Sequence, residues 1–143
     1  MRGVIITDET EDNLLAVNLL DILRLLEPLA LNSEWDISGL ECFGSSADQL
    51  HQLADAKVRV AGRILLELAA SLTQIIDGVF SGYLSGTLKP WIIVRAVDGF
   101  AYDVRTENED VLIRIRQNFQ KVIDIPCLPE DDEAITKVGA GID

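Results

Sequence analysis

Apolar and polar positions along this 143-residue chain change period several times, and each change marks an element. Residues 14–26 are apolar at Leu14, Leu15, Val17, Leu19, Leu20, Ile22, Leu23, Leu25 and Leu26. That pattern covers nearly the whole circumference of a helix, so it predicts a helix over about 11–27, buried on several sides or forming half of a homodimer interface. The acids Asp8, Glu9, Glu11 and Asp12 suit its N-terminus, where the macrodipole favours negative charge. Pro28 ends or kinks it.

Residues 34–43 alternate, with Trp35 and Ile37 on one face. The apolar phase then shifts to Leu40 and Cys42, which predicts a strand bulged at Gly39. Ser46 and Gln49 fit a capping box, opening a helix with Leu50, Leu53 and Ala54 on one side. A second short helix is predicted over 62–71 from the stripe Ile64, Leu65, Leu68, Ala69, Leu72. Residues 73–84 read as a long strand in which Gly78 and Gly82 permit twist or close backbone approach.

The strongest local pattern is 91–105. Asp98-Gly99 stands between two alternating runs, as a tight hairpin requires. A two-residue loop pairs Val97 with Phe100, Arg95 with Tyr102 and Ile93 with Val104, so one face carries Trp91, Ile93, Val97, Phe100, Tyr102 and Val104 with Arg95 among them. Thr106 and Glu109 suggest a second capping box before a helix striped by Val111, Leu112, Ile115 and Phe119, with Asp110 and Arg114 as an i,i+4 pair. Residues 122–125 add an edge strand before Pro126. The order predicts an α+β domain over 1–128, a mainly antiparallel sheet of about four strands with about four helices on one face, and a mobile acidic tail over 129–143.

Composition narrows the function. Apolar residues are 48% of the chain, enough for a packed core. Twenty-four acids against 12 Lys and Arg give −12, which argues against nucleic-acid binding. That charge is unevenly spread: residues 1–12 carry −3, 129–143 carry −4, and the 116 residues between carry −5. Moderate acidity with charged ends suits solubility as well as an acidic binding face. No run reaches the length of a membrane span, Val4-Ile5-Ile6 is too short for a signal sequence, and Cys42 and Cys127 read as thiols in a reducing cytoplasm.

Candidate chemistry is sparse. His51 has no second histidine for a zinc site, although a Cys–His pair through Cys42 or Cys127 is conceivable. Glu34 and Asp36 share a strand face, as a cation site would need, but lack its other parts. No phosphate loop or nucleophile elbow occurs, so no catalytic residue, cofactor or metal is assigned, and the chain reads as a non-enzyme more readily than an enzyme. The remaining candidate is an anion pocket built on Arg95 and Tyr102 with Asp77, Asp98 and Asp103. Its structural rival is an Arg95 paired internally.

The layout from Trp91 to Phe119 looks like that of small bacterial proteins. The acidic α+β composition is similar to that of toxin-neutralising immunity proteins as a class, which implies a basic protein partner and carries over no residue. The leading expectation is therefore a cytoplasmic interaction protein with a basic partner. The alternative is a small anionic-ligand domain or minor enzyme at Arg95 and Tyr102.

Overall fold

A computed structural model describes residues 1–125. The domain boundary at 128, Cys127 and the 129–143 tail lie outside the described residues. Among the described residues the fold is α+β, built on one antiparallel sheet with four helices. In chain order the elements are β1 (Arg2–Ile6), α1 (Leu19–Leu25), β2 (Glu34–Gly44), α2 (Ala47–Asp55), β3 (Val60–Ala61), α3 (Gly62–Ala70), β4 (Leu72–Tyr83), β5 (Ile92–Val97), β6 (Ala101–Thr106), α4 (Glu109–Asn118) and β7 (Val122–Ile125). The sheet has seven strands, in the order β3-β2-β4-β5-β6-β1-β7, rather than about four. The short N-terminal apolar run is β1, inserted between β6 and β7. Both partners lie about a hundred residues away in sequence, so no local pattern announces the pairing.

The predicted helix over 11–27 shrinks to the seven residues of α1. The acids before it have other work. Asp8 accepts backbone N–H bonds from Gln120 and Lys121 at 2.6–3.0 Å, and Glu9 pairs with Lys121 at 3.0 Å. Thr10 Oγ1 accepts from the amides of Asp12 and Leu14, and Asn13 sits at φ 62°. Short polar side chains thus bind the backbone in a non-helical form. The helix starts at a different capping box, Asn18 with Asp21. Leu19, Ile22, Leu23 and Leu26 are buried within the chain, and Leu20 and Leu25 pack against the core. The apolar circumference that suggested a dimer through 11–27 is therefore largely covered internally.

Both predicted N-caps after it also differ. Ser46 precedes α2, but its hydroxyl donates to Leu68 O at 2.6 Å instead of capping. Thr106 ends β6, donating to Trp91 O, and Asn108 caps α4. Arg114 turns to the carbonyls of Leu25 and Glu27 at the end of α1.

The predicted bulge is present: Gly39 has φ 59°, and the β2–β4 register shifts between Ser38 and Glu41. The hairpin is present as well, with Asp98 and Gly99 at φ 51° and 74°. Its register, however, is slipped by one, because Phe100 joins the loop: Val97 pairs with Ala101, Ala96 with Tyr102 and Arg95 with Asp103. A slip of one moves every side chain to the opposite face. The one observed here buries Ile92, Val94, Ala96, Tyr102, Val104 and Thr106 together.

Candidate functional site

The slip takes the predicted pocket apart. Tyr102 lies on the buried face, 1% exposed, with its hydroxyl at the Leu19 backbone. Burial raises its pKa, which the Leu19 contact offsets in part and Asp21 reinforces. Arg95 points from the opposite, outer face. The five proposed residues fall into three places.

The first place is Asp103 between two arginines. Arg95 Nη2 stands 3.7 Å from one carboxylate oxygen and Arg105 Nε 3.4 Å from the other. Asp103 is 6% exposed, while the guanidinium ends remain partly open. This is the internally paired version of Arg95. Two forces act on Asp103. Loss of hydration raises its pKa, whereas Arg105 and Arg95 lower it, and the loss of hydration prevails. A carboxyl raised in the folded state stabilises the fold below its unfolded value, near 3.8, and loses that contribution as pH rises through the folded value. The unfolding free energy of the natural chain minus that of Asp103→Asn is therefore expected to fall from acid to neutral pH. Urea titrations at several pH values measure it, and a difference that rises with pH would mean that the arginines dominate.

The second place is the far end of the sheet. Asp77 Oδ1 accepts the Asp98 amide at 3.1 Å, and Gly99 N–H donates to Ile76 O at 2.9 Å, so the 98–100 turn is tied to β4. The register sets Glu41 opposite Asp77 and Phe43 opposite Gln74. A Cβ on Gly99 would lie 3.4 Å from the Gln74 amide, so the turn and Phe43 border the same residue. Phe43 and Phe100 are 54% and 58% exposed. Two open aromatic rings and the carboxylates Glu41, Asp77 and Asp98 thus occupy one end of the domain. The sequence showed Asp77 and Asp98 as candidates, but not Glu41 or the two rings. Only the bulged β2–β4 register assembles them.

The third place is Tyr102, in the core, as described above.

Other chemistry is limited. Cys42 Sγ lies 3.8 Å from His51 Nε2, so the conceivable Cys–His pair does meet. The thiol is buried, and burial raises its pKa. That favours the thiol over the nucleophilic thiolate. Glu34 and Asp36 sit on the outer face of β2 on either side of buried Trp35. Among the described residues no group of three or more His, Cys, Asp or Glu is arranged to hold a metal ion, and no helix is long and apolar enough to cross a membrane. Comparison with family models, with curated proteins and with solved structures finds no match.

Proposed function

We propose that this chain is a non-enzymatic interaction protein that docks a basic protein partner in a regulatory or immunity-like role. The observation that carries it is the end of the sheet where Glu41, Asp77 and Asp98 stand with the exposed rings of Phe43 and Phe100. Carboxylates beside open aromatic faces suit Lys and Arg side chains, which gain both ion pairing and cation–π contact. Complementary charge of this kind speeds encounter and excludes acidic competitors. The buried free thiol of Cys42 supports a reducing, cytoplasmic setting.

Affinity capture from native lysate at low salt tests the reading. The natural chain is expected to hold a basic protein that elutes as salt rises, and Glu41→Lys and Phe43→Ser are expected to lose it while melting unchanged. Capture that ignores salt, or that survives both substitutions, rejects the proposal.

A second reading keeps the anion site at Arg95. It rests on the loose 3.7 Å contact to Asp103 and on the third of Arg95 that stays exposed. Stabilisation by an anionic metabolite in a thermal-shift screen, abolished in Arg95→Met, would favour it over the first.

A further inference from the structure

The outer face of the sheet has a charge pattern that matches a second copy of itself. The registers define rows across the central strands. One row runs Asp36, Ser81, Ile93, Arg105 through β2, β4, β5 and β6. The next runs Ser38, Val79, Arg95, Asp103, and continues into Ile5 of β1 and Ile123 of β7. Asp36, Ser81, Ile93 and Ile5 are half-buried, Arg95 is 35% and Ile123 63% exposed, so the face is accessible and mixed in character.

We propose that this face is the interface of a homodimer, with the two-fold axis running along the strands between β4 and β5. Such an axis exchanges β2 with β6 and β4 with β5 and keeps the rows in place. Asp36 of one copy then lies over Arg105 of the other, twice by symmetry, and Ser81 lies over Ile93. In the second row Ser38 faces Asp103 and Val79 faces the stem of Arg95. Within these two rows no like charges meet. An axis at right angles, along the first row, stacks Asp36 on Asp36 and Arg105 on Arg105. Set between the rows, it leaves Asp36 over Ser38. Only the strand-parallel axis gives Asp36 a cationic partner, and Arg105 keeps its contact with Asp103 in that arrangement.

The dimensions agree with a reversible dimer. The axis leaves β7 without a counterpart, so six strands about 4.8 Å apart make the shared face about 24 Å wide, and five or six residues make it about 17–20 Å long. That is roughly 400–480 Å² per copy, the size of a weak, reversible contact. Sheets packed face to face align within about 30°, and strand twist confines the close contact to the centre, where these rows lie. The two rows do not include Glu41, Phe43 or the 98–100 turn, so substitutions in the rows and at the docking end test dimerisation and partner docking separately.

Sedimentation velocity across the micromolar range tests the proposal, with thermal unfolding recorded for each protein. The natural chain is expected to show a concentration-dependent dimer. Asp36→Arg, which sets like charges in both symmetric contacts, and Ile93→Lys are each expected to weaken it roughly tenfold or more without lowering the melting temperature. Adding Arg105→Glu to Asp36→Arg is expected to restore dimerisation. A strictly monomeric natural chain overturns the proposal, as does a dimer indifferent to both single substitutions. A folded double variant that stays monomeric overturns the Asp36–Arg105 pairing.

Discussion

Gly62→Ala is expected to destabilise the protein by about 3 kcal/mol or more, a large share of the total stability of about 5–15 kcal/mol usual for a domain. Gly62 is the first residue of α3 and is buried against the turn that follows α1. Its amide donates to Ser33 O at 2.8 Å. A Cβ there would fall onto the carbonyl oxygen of Ala30 and within 2.7 Å of that of Leu31. Both are backbone atoms, so no side-chain rotation relieves the clash. Helix propensity alone predicts the opposite sign, since Ala is favoured over Gly by about 1 kcal/mol. Urea unfolding decides between them, with exposed Arg63→Ala as the neighbouring control, expected within about 0.5 kcal/mol of the natural chain. A neutral Gly62→Ala would mean that α3 does not seat on residues 30–31 as described.

Trp35→Ala is expected to cost about 3–5 kcal/mol, the range for deleting a large aromatic side chain from a core. Trp35 is fully buried, and its ring packs over Gly82 of β4, where an added Cβ would come within 3.0 Å of it. Its Nε1–H donates to Ala30 O at 3.1 Å. Trp35→Phe keeps most of the volume and loses that hydrogen bond, so a smaller cost of about 1–3 kcal/mol is expected. Chemical denaturation of the two variants separates volume from hydrogen bonding: equal losses would show that the ring volume kept by Phe contributes nothing, and an unchanged Trp35→Phe would show that the indole N–H contributes nothing. Because Trp35 and Gly62 both depend on the Ala30 carbonyl, their effects are expected not to add in a double-mutant cycle. The same turn holds Trp91, whose Nε1–H donates to Ser33 Oγ at 2.8 Å while that hydroxyl donates to Leu29 O. Residues 29–33 are therefore the joint between helices and sheet.

The joint was partly legible. Alternation in 34–37 put Trp35 and Ile37 on one face, and Gly82 permitted twist or close backbone approach. Neither pattern says that the ring meets that glycine, because the partner strand lies 47 positions further along. The candidate site fared similarly. Asp77 and Asp98 were visible as residues, whereas their union with Glu41 and two exposed phenylalanines depends on a bulge in β2 and a further register shift in β4.

What the sequence determined by itself was local: the periods that define α3, β2, β4 and the hairpin, and the two positions of positive φ at Asp98 and Gly99. These follow from steric limits on a few adjacent residues, which composition at those positions expresses directly. What the tertiary structure decided was non-local. Asp8 bonds to the amides at 120–121 instead of opening a helix, and β1 enters the sheet between β6 and β7. Above all, burial of Tyr102 and Val104 beside Ala96 and Val94 sets the hairpin register. Covering that apolar face outweighs the tighter two-residue loop. In doing so it sends Arg95 to Asp103 on the open face and turns an expected pocket into a surface.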